Sequence, residues 1–443
     1  MKNQNRSKTT RRDFLKTAAF SALSVPAMSV PLFVPATAFA RDGRPGANER
    51  IGLAGIGVGR QGGFKLQELL KDKRTTAVCV CDVWKSRGEK VAQETGAADV
   101  YQDYREVLDR KDVDAIMTAT PEHWRGLICV HSALAGKHLY VEKPITLTIE
   151  DGIQIRKAAQ KTGIVFQSGS MQRSYIQNYL ACRFVREGGL GEITKVIAAN
   201  YESPWLCALP GEPLPADLDW ERWSGPVDPV PYCNDLFTPR ANPGWISFRP
   251  YSGGEMTGWG THGFDQIQCA LGKDDTGPVE ILVEGEKLIP PVYEKPEPAE
   301  RGNQLCSAPK LAFRYADGLT VELNDANRGG GIFIGTKGKM EIFRGRAVSN
   351  PPELFQDYLD QYGDLQIQGH ESNWIDCIYS GEKPIAHLES GIRTATICHL
   401  LNIARFVGKG FHWDPVQETI PDCPEAALLL AREPRKGYEL PVF

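Results

Sequence analysis

Three stretches of this 443-residue chain carry groups whose type and spacing could do chemistry. Residues 252–265 read SGGEMTGWGTHGFD, which sets His262 among glycines, beside Trp259 and between the carboxylates Glu255 and Asp265. An imidazole can relay a proton near neutral pH, although a lone histidine is more often structural. In Glu142-Lys143-Pro144 a lysine follows the apolar run Lys137–Val141. Such a lysine can act as a base when desolvated, or be only a solvated charge in a turn. Residues 55–63, GIGVGRQGG, form a glycine-rich turn of the kind that lets an anion approach the backbone.

These residues need elements to position them. Arg50–Ala54 reads as a short buried strand and Phe64–Leu70 has helical spacing of apolar residues, so the glycines lie in a strand–turn–helix context. Counted from Gly55, the third glycine of a dinucleotide fingerprint falls on Arg60; counted from Gly57, the pattern Gly57-x-Gly59-x-x-Gly62 is complete. Gly55, Gly57, Gly59, Arg60 and Gln61 are the expected phosphate-side contacts. A second strand, Thr76–Cys81, ends at Asp82, about where a ribose-binding carboxylate belongs. Asp82 favours NAD, while Lys85 and Arg87 keep NADP open. Further strands at Asp114–Thr120, Lys137–Val141 and Gly163–Gln167 continue a β/α alternation. Their ends present Thr120, Pro121 and His123, then Glu142 and Lys143, where open parallel sheets bind ligands. His123 either borders that pocket or caps the next helix.

Taken in order, the glycine-rich turn, Thr120-Pro121-Glu122-His123, Glu142-Lys143-Pro144, Gln167-Ser168-Gly169-Ser170, Gly188–Ile193, Leu218-Asp219-Trp220 and Gly335–Gly338 resemble the glucose–fructose oxidoreductase/inositol dehydrogenase (Gfo/Idh/MocA) family. The resemblance implies an N-terminal Rossmann domain at 48–172. A C-terminal α/β domain at 173–443 would carry a large, mostly antiparallel open sheet, the substrate site and the oligomer contacts. It also implies that Lys143 is an active-site base positioned by Glu142, and that His262 approaches the substrate from the second domain. Family dehydrogenases place an aspartate four residues before that histidine; here the position is Gly258. Either Glu255 or Asp265 supplies a displaced carboxylate, or Asp265 serves only the helix that follows it. Gln172, Arg173, Tyr175, Trp259 and Asp265 are the remaining expected substrate contacts, and a dimer or tetramer is implied.

The second half independently supports a change of architecture. Lys195–Tyr201, Glu280–Gly285, Lys310–Tyr315, Leu319–Leu323, Ile332–Ile334 and Lys339–Phe343 alternate apolar and polar residues, as antiparallel strands with one covered face do. Pro290–Pro298 reads as a surface loop, and helices return from about Trp374 and Ser390. Trp205, Trp220, Trp223 and Trp245 offer either a carbohydrate platform or packing.

A paired Arg11-Arg12, an apolar run broken by Pro26, Pro31 and Pro35, and Ala38-Phe39-Ala40 read as a twin-arginine export signal over 1–40. That reading predicts a periplasmic or other extracytoplasmic protein with no stable membrane insertion after cleavage. A net charge of −4 without a basic block argues against nucleic acid. Eleven scattered cysteines without C-x-x-C, and histidines and acids without ligand spacing, argue against a structural zinc site or any other metal site. The functions compatible with these observations are an exported NAD(P)-dependent oxidoreductase acting on a sugar, polyol or glycoside, with a tightly bound cofactor and proton transfer by Lys143 and His262; an NAD-dependent glycoside-cleaving enzyme working through transient oxidation and elimination; and a non-catalytic carbohydrate-binding protein on the same fold.

Overall fold

The computed structural model describes residues 45–46, 49–238, 244–295, 309–324, 328–441 and 443; the segment read as an export signal lies outside them. Six strands form the first sheet: β1 (Ile51–Ile56), β2 (Thr75–Cys81), β3 (Asp99–Tyr101), β4 (Ala115–Thr118), β5 (His138–Val141) and β6 (Phe166–Ser168). All pairs are parallel, in the order β3-β2-β1-β4-β5-β6. That is the half-and-half order with a switch point beside the first strand. Every residue of β1 is buried, as a central strand covered on both faces requires. β6 starts later than the apolar run at 163–167 suggested. Gly163, at φ 69°, ends the helix Ile149–Thr162 instead, and that helix opens with a capping box between Thr148 and Asp151.

The second lobe adds β7 (Ile193–Ala199), β8 (Trp205–Cys207), β9 (Phe248–Arg249), β10 (Glu280–Glu284), β11 (Val292–Tyr293), β12 (Lys310–Arg314), β13 (Thr320–Asn324), β14 (Gly331–Gly335), β15 (Gly338–Phe343), β16 (Arg346–Asn350) and β17 (Phe411–His412). Eight of them make a sheet in the order β16-β15-β14-β7-β13-β12-β10-β17, antiparallel except for β13 beside β7. Leu311, Phe313, Val321 and Leu323 point into its core, while Lys195–Glu322 and Arg314–Glu280 pair across strands on the other face. β8, β9 and β11 form a small separate sheet, so part of the loop expected at 290–298 is paired strand.

The helix Leu388–Val407 packs against both Ile149–Thr162 of the first lobe and Gly260–Leu271 of the second, and residues 50–443 form one compact unit. Its buried Arg405 donates to the Tyr201 carbonyl (2.6 Å) and Ser203 Oγ (2.8 Å), satisfying a charge that would otherwise be costly there.

The stretch 252–265 is helical rather than an open glycine-rich loop. Gly254, at φ 75°, breaks the chain direction, and two consecutive helices follow, Glu255–Gly258 and Gly260–Leu271. A side chain on Gly254 would meet the Ser203–Pro204 backbone within 2.7 Å, and one on Gly263 would meet Tyr201 Oη at 2.8 Å. These glycines serve close packing of the helix pair, not approach to a ligand.

Candidate active site

A cavity of about 580 Å³ opens at the carboxyl ends of the parallel strands and is closed from the other side by Trp223, Phe237, Trp245, Trp259, His262 and Arg344 among others. Gly57, Gly59, Arg60, Gln61 and Gly62 form one end. Gly57 has φ 73°, and a Cβ there would lie 2.7 Å from Thr120 Cγ2. A Cβ on Gly62 would lie 2.0 Å from the Gly57 carbonyl oxygen, so this glycine is needed for helix–turn packing. Gly59 differs: it has φ −62°, and a Cβ there would meet only the Arg87 guanidinium, at an unstrained 3.6 Å. No side chain caps the helix Arg60–Leu69, which leaves its first N–H groups for an anion. The fingerprint is therefore the one counted from Gly57. Gly55 does not line the cavity; its Cβ position is filled by Val58 and Leu66, so it is a packing glycine.

Asp82 ends β2 at the cavity wall. Both of its oxygens are held, by the Arg87 fork (2.7 and 3.0 Å) and the Trp84 N–H (2.9 Å), and the guanidinium lies between the Trp84 and Phe237 rings. The expected ribose carboxylate thus shares its place with a cation. The open cradle at Gly59, the uncapped helix and the acid at a strand end fit a dinucleotide.

Lys143 lines the cavity, and its Nζ donates to the carbonyl of Gly258 at 3.0 Å. The residue whose missing side chain marked a departure from the family pattern is therefore the lysine's partner through its backbone. A carbonyl is a neutral acceptor, so it fixes Nζ without adding the charge a carboxylate would bring. Glu142 does not face open solvent. It accepts from Gln61 Nε2 (2.9 Å) and from the Lys143 N–H (3.2 Å), tying the glycine-rich helix to the lysine. His262 is buried in the first turn of Gly260–Leu271, lines the same cavity, and has its ring 5.7 Å from that of Trp259, another wall residue.

Two residues not singled out hold this geometry. Glu122 is buried and accepts from Ser252 Oγ (2.6 Å), the Gly253 N–H (2.9 Å) and Thr257 Oγ1 (3.0 Å), anchoring the short helix that ends in Gly258. Burial pushes its carboxyl up, opposed by Arg125 and these donors. Arg125, also buried, donates to the Thr120 carbonyl (2.9 Å) and to that of Pro144. Thr120 and Pro121 line the cavity as expected. Glu122 stood inside the Thr-Pro-Glu-His motif, but nothing in the sequence paired it with residues 130 positions away.

Several expected contacts lie elsewhere. His123 neither lines the cavity nor caps its helix; its Nε2 bonds the Trp223 carbonyl at 2.9 Å, and burial lowers it to about 4. Arg173 and Asp265 pair with each other at 2.8 Å, with Asp274 completing the cluster, and neither reaches the cavity. Asp265 is thereby unavailable as a displaced carboxylate, and Glu255 is buried outside the cavity wall. Gln172 donates to the Gly329 carbonyl (2.6 Å), and Tyr175 to Met171 Sδ (3.0 Å). Of the four tryptophans, Trp223 and Trp245 reach the cavity, while Trp205 and Trp220 pack in the aromatic cluster behind it. The ten described cysteines are free thiols.

Fold and cavity together define a Rossmann-type dinucleotide-binding protein with a second α/β lobe over the nucleotide end. The chain belongs to the Gfo/Idh/MocA oxidoreductase family: the NAD-binding Rossmann fold of that family matches residues 50–170, and its C-terminal alpha/beta domain matches 192–440. It is similar to scyllo-inositol 2-dehydrogenase (NAD(+)) of Bacillus subtilis (34% identical over 125 residues, 28% of this chain and 36% of the relative). It is also similar to a glycosyl hydrolase family 109 protein of Shewanella pealeana (29% over 227 residues, 45% and 47%). The chain thus spans about a third to a half of these relatives. Among solved structures, GenD2 from gentamicin A biosynthesis in complex with NAD shares the fold at TM-score 0.55 and 19% identity, covering 83% of this chain and 97% of that one. No helix among the described residues is long and apolar enough to cross a membrane.

Proposed function

We propose that this protein is an NAD(P)-dependent oxidoreductase that acts on a hydroxyl of a sugar, polyol or glycoside. The observation that carries this reading is Lys143 Nζ held at 3.0 Å from the Gly258 carbonyl, inside a cavity whose other end is the Gly57–Gly62 cradle. When bound there, a nicotinamide dinucleotide supplies the hydride acceptor. Gly57, Gly59 and the first turn after them take the pyrophosphate side, and Asp82 with Arg87 takes the adenosine ribose. Lys143 takes the substrate hydroxyl proton at Nζ, which the Gly258 carbonyl helps to hold in place. His262 and Trp259 orient the substrate from the second lobe, and Glu142 fixes the backbone of the lysine. The Asp82 carboxylate favours NAD; the adjacent Arg87 would accept a 2′-phosphate. The twin-arginine sequence supports export to the periplasm or another extracytoplasmic space. Free dinucleotide is scarce there, which favours a tightly bound, recycled cofactor in a homo-oligomer of two or four chains.

Gly258 and the family 109 relatives favour one alternative, cleavage of a glycoside by transient oxidation, elimination and hydrolysis with no net redox change. Mass spectrometry of dinucleotide released from natively purified protein, then a panel of sugars, polyols and aryl glycosides with NAD or NADP, tests both. The oxidoreductase reading expects net cofactor reduction; phenol release without net reduction selects the alternative. Protein that carries no dinucleotide and takes none up overturns both.

A further inference from the structure

We infer that the substrate-side wall of this cavity is a receptor for an anionic substituent, with the Arg344 guanidinium as its ligand and Trp259 as the platform for the sugar ring. The inference rests on the oxidoreductase reading for the placement of the sugar, and on charge pairing within the cavity for its chemistry.

The wall carboxylates are committed. Asp82 is closed by Arg87, Asp103 by Arg105 and Arg222, Glu122 by its three donors, and Glu142 by Gln61 and the Lys143 N–H. Arg344 is different. It stands in the exposed turn between β15 and β16 and makes no ion pair among the described residues. Its Nη2 lies 3.5 Å from Met171 Sδ, a weak acceptor, and its guanidinium lies 5.7 Å from the Trp259 ring centroid. Trp259 directly follows Gly258, which holds Lys143, and its ring neighbours His262. A cation with no counter-charge among the described residues therefore stands one side chain from the groups assigned to the substrate. The apolar face of a sugar ring packs on an indole, and a planar guanidinium fork matches a carboxylate with two parallel hydrogen bonds. The substrate class this selects is an acidic sugar, a uronate or uronide. A sugar phosphate presents the same chemistry.

The test is equilibrium binding to the natively purified full chain, read by tryptophan fluorescence and so independent of turnover. The probes are glucuronate and galacturonate, glucose and galactose, and glucose 6-phosphate, each with wild type, Arg344→Gln and Arg344→Lys. The acids are expected to bind about tenfold more tightly than the neutral sugars, the return for a charge-assisted pair at a partly solvated site. Rising salt should shrink that advantage. Arg344→Gln should abolish it at an unchanged melting temperature, and Arg344→Lys should keep part of it. Glucose 6-phosphate decides whether carboxylate or phosphate is the better ligand. Equal binding of acid and neutral sugars, an acid preference that survives Arg344→Gln, or binding of neither class overturns the receptor. Acid binding without any cofactor reduction refutes the oxidoreductase reading alone; reduction by neutral sugars without acid preference refutes the receptor alone.

Discussion

Replacing Gly59 by alanine separates ligand binding from folding at the glycine-rich turn. At φ −62° alanine fits the backbone without strain, and its Cβ would meet nothing closer than Arg87 Nη1 at 3.6 Å. The folded chain should therefore lose no stability and could gain about 0.4–1 kcal/mol through the unfolded state. The same methyl points into the space where a pyrophosphate must approach the uncapped helix end. Losing one hydrogen bond to a charged oxygen costs about 1.5–3 kcal/mol, so the dinucleotide should bind about 10–100-fold more weakly. Gly62→Ala is the contrast: its Cβ falls 2.0 Å from the Gly57 carbonyl oxygen, so the turn or the helix must move. Such overpacking should cost about 1–3 kcal/mol of stability. The assay pairs calorimetric NAD titration with melting in the presence and absence of NAD. Unchanged NAD affinity in Gly59→Ala, or a ligand-free melting temperature as depressed as that of Gly62→Ala, refutes the assignment of this turn.

Arg173→Met should cost about 3–5 kcal/mol, because it strands the buried Asp265 carboxylate and removes the partner of the half-buried Asp274. Denaturant unfolding measures this, and a variant of wild-type stability with a raised KM would return Arg173 to the substrate site. Burial lowers His123, His370 and His387 to about 4 and His399 to about 3. In the unfolded chain they titrate near 6.5. Their contribution is thus fully present above that pH and is lost as the pH falls towards 4, where only the unfolded state takes up the protons. Each steepens the fall by up to about 1.4 kcal/mol per pH unit. Urea unfolding at a series of pH values should show the decline, and a flat profile from neutral to mildly acid pH would contradict it.

The parallel sheet was legible because its strands are continuous apolar runs punctuated by turns, and Lys143 because it follows such a strand. The second sheet was legible from alternation, as at Leu311 and Phe313. The register of the fingerprint was not, since Gly55 and Gly57 differ only in what fills the space beside them. Arg173 and Asp265 read as site residues from their places in motifs. Their mutual pairing, and the third partner Asp274, depend on contacts between segments far apart in the chain. The Gly258 carbonyl that holds Lys143 left no trace in sequence, because a backbone carbonyl is common to every residue and its placement depends on contacts such as the Glu122 anchor, made across the chain. Arg344 lay in a turn whose sequence carries no motif.

The most direct measurement is single-turnover reduction of the bound nicotinamide, on a substrate found in the sugar and polyol panel, by wild type and Lys143→Met. The account predicts that the variant folds and retains its dinucleotide, while hydride transfer slows by about 100-fold or more, the usual share of a positioned base. A Lys143→Met protein that reduces its cofactor at the wild-type rate would contradict it.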